Sequence, residues 1–314
     1  MDLEWVISLW IQGLAGGCPD GGGWFDGPMK GANDGASNLE KSMTTTTSTA
    51  PKSKSNSASK TAPKATAKAR TPGRFVWFHL RTSNPEAAAR FYGEVVGWKS
   101  STMEMEGASF PMFSNAQETV AHVEPQAKGP ACFVSYAAVD DVDAAARRVK
   151  DAGGKVLGDA VDMTGIGRMV EVQDQDGARF FLYRATQDDA GQPDGAGAFI
   201  WNELWAKDTA RALAFFTSVF GYSVKDMPMP GMTYHVLGRG KEDLAGLMPA
   251  PEGTNASMFV PYIYVADVDA ARARALKLGA TALGDANDVP HVGRMAVLLD
   301  PQGAHFAVMT PEAA

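Results

Sequence analysis

VDDVDAAARRVKDAGGKV (139–156) and VADVDAARARALKLGA (265–280) are one segment met twice. The pentapeptide DVDAA stands at 141–145 and again at 267–271, an offset of 126. Working outward at that offset, Tyr136 falls on Tyr262, and Gly167-Arg168-Met169 falls on Gly293-Arg294-Met295. The closing Asp174, Gly177 and Phe180 fall on Asp300, Gly303 and Phe306. Upstream the offset becomes 124, so that FVWFHL (75–80) meets FIWNEL (199–204), Phe91 meets Phe215 and Gly97 meets Gly221. The two-residue slip falls near Gly129. These matches in order require a duplication of roughly 110 residues.

Each copy divides again. RTSNPEAAARFY and AAVDDVDAAARRV both follow an apolar, β-rich run, and both open with an Asn or Asp before an alanine-rich amphipathic stretch. Such a residue caps a helix by accepting from the orphan N–H groups of the first turn. Gly97 and Gly153-Gly154 then lead into short alternating runs such as RMVEVQD and RFFLYRA, which read as strands. The predicted unit is strand–helix–strand–strand–strand, twice per copy and four times per chain. This is an α+β fold in which helices cover one face of each curved sheet and the concave face lines a cup. The predicted divisions are a low-complexity tail over 1–73, a first module over 74–187, a linker over 188–197 and a second module over 198–314.

Composition narrows the partners. The apolar fraction of 45% and charged fraction of 21% are those of a water-soluble globular chain. Cys18 and Cys132 are too few for a disulfide framework or a thiolate metal site, and they point to a reducing, cytoplasmic setting. Residues 43–73 carry six basic residues and no acid, whereas residues 1–42 carry six acids against two lysines. Setting these segments aside from the overall −7 leaves the rest of the chain at −9, a poor partner for nucleic acid. The lysines of TTTTSTAPKSKSNSASKTAPKATAKARTPG are dispersed without aromatic neighbours, as in a solvated, disordered arm. Leu3 to Gly17 is apolar but too short to span a bilayer, and it lacks a basic flank, so no membrane partner is expected. Because the first forty residues match neither a targeting signal nor the arm, Met43 is a candidate start.

The ordered series of helices and closing turns resembles the vicinal-oxygen-chelate superfamily, which includes glyoxalase I, bleomycin-resistance proteins and extradiol dioxygenases. The resemblance rests on PEAAARFYGEVVGW (85–98), VDDVDAAARRVKDAGGKV (139–156) and DQDGARFFLY (174–183), with TARALAFFTSVFGY (209–222), VADVDAARARALKLGA (265–280) and DPQGAHFAVM (300–309) as second-copy counterparts. It implies tandem modules with a divalent metal in the cup, acting as a Lewis acid on adjacent substrate oxygens. Carried across, the ligand positions fall on Trp77 and Trp201, on Val134 and Val260, and on Phe181 and Ala307, none of which can bind a metal. His122 stands at or near the remaining position, and Gly246 matches it in the second copy. The usual metal site is therefore expected to be lost, and the cofactor stays unknown.

Two positions away along the same strands, the side chain points to the same face. There stand His79 and Glu203, Tyr136 and Tyr262, and Arg179 and His305. His79 and Glu203 interrupt apolar runs, as general acid/base groups, as a rearranged metal site, or as polar groups hydrogen-bonded at the rim of the cup. Trp77, Tyr136, Trp201, Tyr262, His122, His235 and His305 are the candidate substrate contacts, the face of His235 being undetermined. Arg168 and Arg294, each after a turn glycine, read as structural pairs or as anion sites. Two functions stay open: a small-molecule-binding glyoxalase-like protein with divergent lyase or hydroxylase chemistry on a carbonyl or aromatic compound, and a metal-free sequestration protein of the bleomycin-resistance type. Duplication lets one chain pair its own modules, so a monomer or a homodimer is expected.

Overall fold

A computed structural model describes residues 71–105, 108–186 and 194–312. The expected arm lies outside the described residues up to residue 70, as do Met43 and residues 188–193 of the expected linker.

The first sheet is built from β1 (Phe75–Thr82), β2 (Lys99–Met105), β3 (Ala108–Ser114), β4 (Thr119–Pro125), β5 (Cys132–Ala138), β6 (Lys155–Val156), β7 (Val161–Met163), β8 (Gly167–Gln173) and β9 (Arg179–Ala185). Helices α1 (Pro85–Val96) and α2 (Val142–Asp151) cross between its strands. The second sheet repeats this with β10 (Phe199–Ala206), β11 (Ser223–Met229), β12 (Met232–Arg239), β13 (Glu242–Pro249), β14 (Met258–Tyr264), β15 (Thr281–Ala282), β16 (Asn287–Val289), β17 (Gly293–Leu299) and β18 (His305–Pro311), with α3 (Thr209–Phe220) and α4 (Val268–Lys277). Strand order is β2-β3-β4-β1-β5-β9-β8-β6 in one and β11-β12-β13-β10-β14-β18-β17-β15 in the other. The expected four-strand unit holds in the first half of each module. In the second half one strand is broken into two short pieces, β6 and β7, or β15 and β16, both paired to the next strand. The offset slip falls in the β4–β5 loop, where extra residues disturb no ladder.

The caps are where the sequence puts them. Asn84, Asp141, Asp208 and Asp267 each accept from the backbone N–H three residues on, at 3.0, 2.8, 3.0 and 2.9 Å. Each such cap is worth about 1 kcal/mol. Gly97 and Gly221 end α1 and α3 at φ +80° and +69°, a backbone state that favours glycine. Turn carboxylates close the last hairpins: Asp174 accepts from Asp176 and Ala178, and Asp300 accepts from Gln302 and Ala304.

The two modules share one hydrophobic core. It takes in Phe78, Leu80, Phe91 and Phe180 from the first and Phe199, Leu204, Phe215 and Phe306 from the second. Phe78 and Phe199 stack with ring centroids 3.9 Å apart. Helix α1 packs on α4, and α2 packs on α3. The Tyr92 hydroxyl donates across the junction to Asp300 at 3.0 Å, and Asn202 donates to Ser135 at 3.0 Å. The helix-covered face of each sheet is thus turned inward, and each concave face is turned away from the shared core.

Candidate functional site

Register decides which side chains face each cup. In the first module β1 runs parallel to β4 with His79 opposite His122 and Arg81 opposite Glu124, and antiparallel to β5 with Trp77 opposite Tyr136. Tyr136 lies beside Phe181 on β9, and Phe181 is opposite Glu171 on β8. Trp77, His79, Arg81, His122, Glu124, Tyr136, Glu171, Arg179 and Phe181 therefore share the concave face.

Charge dominates this floor. Arg81 donates through Nε to Glu124 at 2.9 Å and through Nη1 and Nη2 to both oxygens of Glu171 at 2.8 and 3.0 Å. Arg179 Nε lies 3.0 Å from the same Glu171. His79 is 1% exposed, its Nδ1 3.0 Å from the Tyr136 hydroxyl and its Nε2 3.2 Å from Glu124. Burial, and then the neighbouring Arg81, hold the His79 ring well below the usual imidazole range. His122 is lowered to about 4 for the same two reasons. A neutral His79 fits this surrounding, with Tyr136 donating to Nδ1. The Trp77 indole donates to His122 Nδ1 at 3.1 Å.

The second cup carries the same frame with other chemistry. Trp201, Glu203 and Trp205 on β10 face Gly246 and Met248 on β13 and Tyr262, Val260 and Met258 on β14. Glu203, 3% exposed, accepts from the Trp205 indole at 2.8 Å and the Tyr262 hydroxyl at 3.0 Å, with Tyr234 beside it. Burial raises the Glu203 carboxyl above the usual carboxylate range, while these bonds oppose the rise. The Trp201 indole donates to Tyr234 at 3.0 Å. Thus both indoles find a partner, His122 in one cup and Tyr234 in the other. Gly246 makes this possible, because a Cβ there would stand 1.9 Å from the Tyr234 oxygen. Around these groups lie Met232, Met248, Met258, Met295 and Met309.

Of the residues singled out from sequence, Trp77, His79, His122 and Tyr136 meet in one cup, and Trp201, Glu203, Tyr262 and His305 meet in the other. His305 packs edge-on against Trp205 at 5.7 Å, and burial lowers it to about 4. His235 does not join them. Its strand partner is Leu247, a core residue on the helix-covered face, and its Nδ1 pairs with Asp226 at 2.7 Å. Its neighbour Tyr234 takes the cup-facing place. Alternation along β12 contained this choice, but only the register to β13 fixes it. Arg81, Glu124 and Glu171 were missed, although each continues the alternation from His79, His122 and Met169.

Arg168 and Arg294 are structural pairs. Arg168 bonds Asp143 and Asp162, and Arg294 bonds Asp269 and Asp288, tying a helix start to a short strand. A surface cavity of about 520 Å³ beside Arg294 is lined by Asp267, Asp269, Asp288 and Glu312 and lies apart from the cup residues.

The donor set does not fit a divalent ion in either cup. In the first, the Arg81 guanidinium already bridges Glu124 and Glu171 as a resident cation, and both nitrogens of His79 face protein groups. In the second, Glu203 is surrounded by phenol and indole donors, and Tyr234 fills the space above Gly246. Among the described residues, no three His, Cys, Asp or Glu side chains gather around one point.

Two family models match in tandem. Residues 74–182 match the Glyoxalase/Bleomycin resistance protein/Dioxygenase superfamily, and residues 201–309 match the Glyoxalase-like domain. The protein named "Putative glyoxylase CFP32" of Mycobacterium tuberculosis is 35% identical over 244 residues, covering 75% of this chain and 94% of its own. The chain belongs to the glyoxalase/bleomycin resistance protein/dioxygenase superfamily. Anthracycline biosynthesis protein DnrV of Streptomyces peucetius, another relative, is 32% identical over 257 residues, 76% of this chain and 93% of that one. The Mn(II)-bound glyoxalase of Novosphingobium aromaticivorans shares the superfamily fold at TM-score 0.58 and 17% identity, over 76% of this chain and 82% of that one. No helix among the described residues is long and apolar enough to cross a membrane.

Proposed function

We propose that the protein binds a planar, largely apolar small molecule in the cup of the second module, through its own side chains and without a metal. The observation that carries this reading is the wall of Trp201, Trp205, Tyr234 and Tyr262 lined with methionines around one buried carboxylate. Aromatic faces stack on flat ligands, and methionines adapt to irregular outlines. A pocket mostly apolar with a few convergent polar groups is the usual form of a small-molecule site. The name of the relative from anthracycline biosynthesis supports the same chemistry, since an anthracycline is a fused-ring aromatic.

Quenching of tryptophan fluorescence by 1,4-dihydroxyanthraquinone tests it. One-to-one binding is expected, unaffected by chelator and weakened at least tenfold in Trp201→Ala. Failure of planar aromatics to bind, or binding that needs an added divalent ion, would sink the reading.

Catalysis has one supporting geometry. Glu203 is a buried carboxyl facing this cup, and burial raises it above the usual carboxylate range, which strengthens it as a base. A lyase-type step would begin when Glu203 takes a proton from carbon beside a ligand carbonyl. Incubation with 1-tetralone, a fused-ring ketone that carries C–H beside its carbonyl, in deuterated water would then label that carbon, and Glu203→Gln would abolish the labelling. A ligand recovered without deuterium leaves binding alone.

A further inference from the structure

We propose that the cup of the first module is a second ligand site, which takes the carboxylate of a small aromatic acid on Arg179. It does not depend on the reading of the second cup.

The repeat supplies the control. At four matched positions the first cup has Arg81, Glu124, Glu171 and Arg179, where the second has Trp205, Met248, Val297 and His305. Both sheets keep the same strand order. The fold therefore does not need these charges. Their side chains are only 12% to 16% exposed, and ionised groups so enclosed carry a desolvation cost that the apolar set avoids. A cost borne by one copy and absent from the other points to use.

The hydrogen-bond inventory says which group is left for a ligand. Arg81 places Nε on Glu124 and both Nη atoms on Glu171. Glu171 faces both arginines. Arg179 has one ion-pair contact, its Nε 3.0 Å from Glu171 but outside hydrogen-bond geometry, and no hydrogen bond joins its Nη1 or Nη2 to a described residue. A guanidinium carries four N–H groups on those two atoms, in a plane that matches a carboxylate edge. Acceptors for these groups come from solvent or from a ligand.

An aromatic surface lies beside this fork. Phe181, two residues along β9 and so on the same face about 6.6 Å away, is half-buried. It stacks on Tyr136 at 4.4 Å with 7° between the planes. A ring on Phe181 with its acid group on Arg179 corresponds to a benzoate- or naphthoate-sized compound.

The test is calorimetric titration of the full-length protein with 2-naphthoate, and with 2-naphthylmethanol as its uncharged counterpart, at pH 8. In the Trp201→Ala variant, whose second cup is weakened for planar apolar compounds, the acid is expected to bind at least tenfold more tightly than the alcohol. Arg179→Gln should weaken the acid at least tenfold. Arg179→His copies the residue of the second module, neutral at this pH, and should give the same loss if the glutamine variant folds poorly. Trp201→Ala, in the other cup, should bind naphthoate as the parent does. The inference is overturned if naphthoate does not bind, if acid and alcohol bind the Trp201 variant alike, if neither arginine variant weakens the acid, or if the Trp201 variant abolishes binding. Failure of the anthraquinone to bind would leave these expectations untouched, so the two readings fail separately.

Discussion

Placed side by side, the two cups share a frame and differ in what it holds. Each has a tryptophan whose indole donates to a neighbour, a tyrosine whose hydroxyl meets the ionisable group of the first strand, and the same strand order. One cup then fills its floor with two arginines and two glutamates, the other with tryptophan, methionine, valine and histidine. The frame is therefore indifferent to polarity on its concave side. What it fixes is position, and chemistry is written onto that position afterwards.

The strongest way to break this comparison is to remove one charge from the balanced floor. Arg81→Met leaves Glu124 enclosed without its guanidinium and Glu171 with Arg179 alone, and should cost about 3–5 kcal/mol in urea unfolding. Replacing all four groups by their second-module counterparts, Arg81→Trp, Glu124→Met, Glu171→Val and Arg179→His, should recover most of that loss. A quadruple variant less stable than Arg81→Met would show that the frame is not indifferent after all.

A middle-sized effect is expected at the place where the indole partners differ. Gly246→Ala pushes a methyl group into Tyr234 and the Trp201 indole nitrogen, 1.9 and 2.8 Å away. Overpacking of this kind costs about 1–3 kcal/mol. His122→Ala, at the matching place in the first cup, makes room instead, and should leave the second-cup affinity for 1,4-dihydroxyanthraquinone unchanged while Gly246→Ala lowers it.

The smallest effect near neutrality is in pH dependence. His122 and His305 are each held at about 4, below the unfolded value of about 6.5, so the unfolded chain binds more protons between these limits. Their contribution is full above about pH 6.5 and is lost as pH falls toward 4. Asp174, raised to about 6, acts in the opposite sense, since its cost above pH 6 is relieved on acidification. His122→Gln should remove about 1 kcal/mol of the loss seen by pH 6, and more below it, in melting curves taken against pH. A parent and variant with parallel pH profiles would refute the neutral, buried imidazole.

The sequence disclosed the fold through self-similarity, because a capping Asp before DAA and a glycine after the helix are local signals that survive duplication. It also put His79, Glu203, Tyr136 and Tyr262 on one face, since alternation is local too. It did not disclose Arg81 meeting Glu171, because that contact joins residues ninety positions apart and depends on how β1, β4, β5, β9 and β8 line up. Tyr234 was hidden for a related reason. An edge hairpin of alternating methionines, prolines and polar groups reads equally well in either register, and His235 drew attention as the more reactive side chain. That Trp77 and Trp201 stand where the resemblance puts metal ligands was legible, but the Arg81 guanidinium bridging Glu124 and Glu171 was not.

The sealed interior between the modules carries a consequence for descent. With four helices and both convex faces locked against one another, a mutation there must satisfy two partners at once, and drift on that side is held back. The outward hollows answer to no such joint constraint. One copy could exchange salt for grease, residue by residue, while its twin kept the shared scaffold in register.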